Sequence, residues 1–211
     1  GIYNATGITG DAAGITLTGA VQLAGDVTLD SDSSNDGNIS FSSTINDDGS
    51  SSTTSNLVIK SGTGTVGVTD KIGAGSSGTL TSLTINASDS YSATGKITLT
   101  EDIGLTSQAG VSGATKIGNA ATTEIQLGGT LYKTGGTGNS ATTYTASSTA
   151  ADGTGSIDVN ATADVKFQTT DGDITFANGL IELANGADLT VDANDTGDIS
   201  VYGVDVDTLE T

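Results

Sequence analysis

The 211 residues carry 25 acidic side chains against six basic ones, all lysine, for a formal net charge of −19. That charge repels nucleic acid and anionic membranes and sets both aside as partners, while leaving divalent cations as natural counter-ions. His and Cys are absent, as are Met, Trp and Pro, which excludes Ser/His/Asp and Cys/His catalysis, disulfides and thiolate metal sites together.

In chain order, sixteen three-residue runs alternate apolar–any–apolar. The first eight start at Ile15, Val21, Val27, Ile39, Leu57, Val66, Leu83 and Ile97. The other eight start at Ile125, Ile157, Val165, Ile174, Ile181, Leu189, Ile199 and Val204. Period-two alternation predicts a very short strand at each, with its outer side chains on one buried face and its middle one in solvent. Between them lie Gly, Asn, Asp and Ser, the residues of turns. No window places apolar residues at i, i+3, i+4 and i+7, so an all-β, essentially helix-free chain is expected. Aromatic content of 4% and the high charge also fit disorder, but the regular alternation of Ile, Val and Leu argues against it.

Strands this short must stack to bury anything. A β-solenoid and a β-sandwich both fit the close, even spacing of the runs, as in those starting at Ile15, Val21, Val27 and Ile39. The solenoid is favoured by strands shorter than the usual five or six residues, by the lack of Pro, and above all by internal repetition. The segment 14–41 reappears as 173–201, at a nearly constant offset whose small slips fall in turns. Ile15-Thr16-Leu17 answers to Ile174-Thr175-Phe176, and Gly37-Asn38-Ile39-Ser40-Phe41 to Gly197-Asp198-Ile199-Ser200-Val201. One solenoid body over 1–211 is expected, with residues 100–156 less regular, either excursions or rungs filled by Ala, Val and Thr. The interior is assigned to Ile15, Leu17, Val27, Leu29, Ile39 and Phe41, with Ile174, Phe176, Leu189, Val191, Ile199 and Val201 as counterparts.

Three stretches carry a resemblance. Gly37-Asn38-Ile39-Ser40-Phe41-Ser42-Ser43-Thr44-Ile45-Asn46, then Asn56-Leu57-Val58-Ile59-Lys60-Ser61-Gly62-Thr63-Gly64-Thr65-Val66, then Leu80-Thr81-Ser82-Leu83-Thr84-Ile85-Asn86-Ala87 look like the repeats of giant bacterial exoproteins of the filamentous-haemagglutinin type. The match spans roughly residues 15–100 and 170–202. It implies a right-handed parallel β-helix, export to the cell surface, and a role in adhesion, stalks or matrix filaments. It implies no catalytic residues, and the chain is read as a non-enzyme.

The densest oxygen-ligand runs are two acidic turns, one containing Asp30, Asp32 and Asp36, the other Asp192, Asn194, Asp195 and Asp198. Calcium takes six to eight oxygens from such loops. Against that reading, no Glu closes either run, and Asp and Asn make tight water-facing turns without any metal. The middle residues Thr16, Thr28, Thr84, Thr98, Thr175 and Thr190 would form an ice-binding lattice if aligned, but Gln22, Lys166, Glu182 and Asp205 interrupt them. A start at Gly1 without Met, and no terminal cap, read as a fragment of a longer array or a subunit that stacks end to end. The expected function is thus a structural extracellular protein, a filament subunit or adhesin stalk self-associating through its ends. The alternative is a ligand-binding adhesin module for surface glycans or a host receptor, calcium-dependent in one version.

Overall fold

In the computed structural model, the described residues are 2–3, 8–9, 14–32, 36–50, 54–87, 93–135, 141–148, 156–183, 186–194 and 196–205, with residues 2, 3, 8, 9 and 205 described by backbone alone. The chain winds repeatedly over the same three faces. β1 (Ile2–Tyr3), β2 (Ile8–Thr9) and β3 (Ile15–Leu17) lie on faces one, two and three in turn. The next two coils bring β4 (Val21–Leu23), β5 (Val27–Asp30) and β6 (Ile39–Phe41), then β7 (Ile45–Asp47), β8 (Asn56–Lys60) and β9 (Val66–Val68). Two coils follow with no strand on face one. The first has β10 (Ser82–Ile85) and β11 (Ile97–Leu99), the second β12 (Thr115–Ile117) and β13 (Ile125–Leu127). Then come β14 (Leu131–Thr134), β15 (Thr142–Thr145) and β16 (Ile157–Val159), and β17 (Val165–Thr169), β18 (Ile174–Ala177) and β19 (Ile181–Leu183). β20 (Leu189–Asp192), β21 (Ile199–Val201) and β22 (Val204–Asp205) complete the described path.

Every strand pairs in parallel with its counterpart one coil away, as on face three, where Ile15, Ile39, Val66, Ile97, Ile125, Ile157, Ile181 and Val204 are successive partners. The coils are uneven in length: on this face the shortest runs from Ile181 to Val204 and the longest from Ile125 to Ile157. Faces two and three are eight-stranded sheets, and face one is two three-stranded sheets joined by the bridging residues Ile72 and Ile103. The result is a right-handed β-solenoid, all-β and without helix among the described residues. Parallel pairing rules out the β-sandwich.

All sixteen alternating runs start within strands, with burial patterns such as buried–exposed–buried in β4. The reason is geometric: a strand whose neighbours lie above and below has only one face left to bury, and it points to the axis. Residues 100–156 contribute coils too. Ile103, Val111, Ile117, Tyr132 and Tyr144 fill their interior, and the aromatics Tyr132, Tyr144, Phe167 and Phe176 pack as two parallel stacks meeting edge to face. At the corner after face two, buried polar groups satisfy one another between coils. The Ser61 N–H donates to Asn86 Oδ1 (2.9 Å), and Asn119 Nδ2 donates to the Asn86 carbonyl (2.7 Å).

One expectation is corrected. Ile199 and Val201 were assigned to the interior, yet they are 49% and 38% exposed, while their partners one coil earlier, Ile174 and Phe176, are each 1% exposed. A solenoid side chain is covered by the coil beyond it, and no described coil lies beyond β21. The repeated segments also sit on different faces. β3 and β6 belong to face three, whereas their sequence counterparts β18 and β21 belong to face two. What recurs in the sequence is a strand-and-turn unit that any of the three faces accepts.

Candidate functional site

The first acidic turn follows β5 at the corner between faces two and three, and the second follows β20 at the corner between faces one and two. In the first, Asp30 Oδ1 accepts the Asp32 N–H (3.1 Å) while Asp30 Oδ2 faces Lys60 Nζ at 3.7 Å. Asp36 Oδ2 accepts from the Thr63 hydroxyl (2.7 Å). The Asp32 and Asp36 carboxylates both close over Gly62, where a Cβ would strike them. Burial, then the hydrogen bond and charge of Asp36, push the Asp32 carboxyl above its usual range.

In the second turn, Asp192 binds Lys166 Nζ (2.9 Å) and Gln168 Nε2 (3.0 Å) and accepts the Asn194 N–H (3.2 Å). The Lys166 ammonium, followed by the Asn194 N–H, holds the Asp192 carboxyl below its usual range. The Asp198 N–H donates to Asp173 Oδ1 (2.8 Å). Asp195 lies outside the described residues. The two turns are thus not brought together, and in each the leading Asp is committed to a lysine on the neighbouring coil. Among the described residues, no group of three or more acidic side chains is arranged to hold a metal ion.

The faces differ in charge. On face three the outward column runs Thr16, Ser40, Gly67, Thr98, Gln126, Asp158 and Glu182, with Asp205 next by backbone register. Asp158 is therefore stacked beside Glu182, and Glu124, which is ion-paired to Lys96 Nζ (2.7 Å), shares a hydrogen bond with it. Burial, then that hydrogen bond and the charges of Glu124 and Glu182, raise the Asp158 carboxyl to about 7, and its Oδ1 is buried without a partner among the described residues. Sequence reading missed this cluster because Glu124 and Asp158 are remote along the chain and only the coil register joins them.

Face two is different. Its outward column is Thr28, Val58, Thr84, Lys116, Thr143, Thr175 and Ser200, with no acid in it. A cleft of about 190 Å³ opens there, lined by Ala87, Lys116, Gly118, Asn119, Thr143 and Thr145. Lys60, Lys71, Lys96 and Lys166 are ion-paired between coils, and Lys133 Nζ donates to the Thr106 carbonyl (2.7 Å). Lys116 is exposed and has no ion pair among the described residues.

Compared with known proteins, the chain matches no protein-family model, no curated protein and no solved structure. Its own architecture therefore defines its class: a repetitive β-solenoid of the broad kind found among repeat and surface proteins.

Proposed function

We propose that the protein is a structural rod, a filament subunit or adhesin stalk segment of a bacterial cell surface, related to the filamentous-haemagglutinin-type exoproteins and continued by end-to-end stacking of coils. One observation carries this reading. Apolar columns run through the described coils and emerge uncovered at the last, where Ile199, Val201 and Val204 are 49%, 38% and 42% exposed. In one of those columns, Ile181, the partner of Val204 one coil earlier, is fully buried. A further parallel coil, from the same chain's continuation or another copy, is the shape that covers such an end, pairing with the open strand edges as it does so. Contacts of this kind do not close on themselves, so they propagate. The acidic exterior keeps neighbouring rods apart, and an extracellular location agrees with a chain lacking cysteine.

Electron microscopy of the purified chain, with calcium and then with chelator, tests the proposal. Uniform filaments are expected of a subunit that stacks end to end, and particles no longer than a single chain would overturn self-stacking. Filaments lost in chelator would assign calcium to the acidic turns. Val201→Lys should shorten any filament while leaving the circular dichroism unchanged. Protease shaving of intact cells tests the location, since an exported rod is cleaved and an internal one is not.

A further inference from the structure

We propose that the cleft beside Lys116 on face two binds a sugar acid, a single monosaccharide unit bearing a carboxylate. This site does not depend on the rod's assembling. In a chain of net charge −19, a cation normally finds a carboxylate, and among the described residues Lys60, Lys71, Lys96 and Lys166 do so across neighbouring coils. Lys116 stands instead in an acid-free column, between Thr84 and Thr143 by register. Its ammonium is a mobile point charge with three donors, suited to one carboxylate.

The cleft supplies the rest of the recognition. Thr143 and Thr145 line it, and a threonine hydroxyl can both donate and accept, as ring hydroxyls require. Asn119 is a buried wall of the cleft, with Nδ2 donating to the Asn86 and Ala93 carbonyls and Oδ1 accepting the Ala121 N–H. Gly118, also in the lining, has a φ of 74° that suits glycine and packs so closely on the next coil that a Cβ would strike the Thr145 carbonyl oxygen. At about 190 Å³ the space falls below the roughly 300–1,000 Å³ of drug-sized pockets. It takes one sugar ring, not an extended chain. Among the described residues no aromatic side chain lines it, so the contacts they offer a sugar are the Lys116 ammonium and the threonine hydroxyls.

Backbone amide NMR of the full chain, titrated separately with glucuronate, glucose and sodium sulfate, tests this. Glucuronate is expected to shift the amides of Lys116, Gly118, Thr143 and Thr145 saturably. Glucose, the same ring without the carboxylate, should bind up to about fivefold more weakly, the contribution of one exposed ion pair. Lys116→Gln should lower glucuronate affinity by a similar factor with the rest of the spectrum unchanged, since the side chain is exposed. Thr143→Ala should weaken glucuronate but not sulfate. Absence of saturable shifts, equal affinity for glucose, or an unchanged Lys116→Gln would each overturn the proposal. Sulfate binding as tightly as glucuronate would reduce the site to a bare anion site and overturn its sugar specificity.

Discussion

At the scale of single residues, burial decides what a substitution does. Ile39 is fully buried and Ile199 is half exposed, although their sequence contexts nearly coincide. Ile39→Asp buries an unpaired charge at a cost of several kcal/mol, against a total stability of about 5–15 kcal/mol. It should abolish the cooperative melt followed by circular dichroism, and Ile199→Asp should keep it. Tyr144 is fully buried with its hydroxyl unpartnered among the described residues. Tyr144→Phe removes an unsatisfied donor without changing shape and should leave stability level or raise it by about 1 kcal/mol; a loss above that on denaturant titration would mean that the hydroxyl has a partner.

Asp158 gives a pH dependence of definite sign. Its folded carboxyl titrates near 7 against an ordinary value of 3.8, so the native state holds a proton that the unfolded chain releases. The stability from this proton is fully present below about 3.8 and is lost as pH rises through about 7. Asp102 acts the other way. Burial opposes its charge, but the Lys71 ammonium and the Leu131 and Thr130 N–H groups outweigh burial and hold it below 3.8, so its contribution disappears only in stronger acid. Melting temperatures of the native chain should fall from pH 5 to pH 8, and Asp158→Asn should flatten that fall. Parallel profiles for the two proteins would remove Asp158 from the account.

At the scale of elements, strands β7, β12, β14 and β15 escaped the alternation pattern because each lacks one apolar partner. β15 reads Thr142-Thr143-Tyr144-Thr145, yet its inward positions are buried. Thr142 can be inward because its hydroxyl bonds that of Thr134 (2.6 Å), so the core accepts a polar pair where two neighbouring strands supply it together. Next to this pair sit the four aromatics, with Tyr132 and Phe167 stacked at 4.8 Å and Phe167 and Phe176 edge to face at 5.0 Å. Phe167 touches all three others. Phe167→Ala should therefore cost about 3–5 kcal/mol on denaturant titration, more than removing any inter-coil ion pair. The lysines of those pairs remain about a third exposed, where such pairs contribute about 0–1 kcal/mol.

At the scale of the whole molecule, each coil touches only its neighbours, so stability is approximately a sum over coils and interfaces. Damage at one end should stay there. In Ile199→Asp, amide hydrogen exchange should quicken in β20–β22 and remain slow in β8–β13; acceleration spread over all coils would contradict a one-dimensional array. The same linearity gives the rod long faces of different chemistry: an acidic ladder growing along face three, and on face two a largely hydroxyl column carrying the Lys116 cleft.

The sequence by itself determined sixteen of the strands, the alternation of inward and outward side chains within most of them, and the stacked class of fold, because a period of two leaves each short run only one face to bury. It also settled the absence of His- and Cys-based catalysis, which composition alone decides. Only the tertiary structure assigned strands to faces, since the three faces accept the same strand-and-turn unit and nothing local distinguishes them. For the same reason it alone placed the two acidic turns at different corners, brought Glu124 to Asp158, and left Lys116 beside a cleft with no ion pair among the described residues. Those neighbours lie one coil apart, and the coils differ too much in the length of their turns, as the spans Ile125 to Ile157 and Ile181 to Val204 show, for a fixed spacing to reveal them.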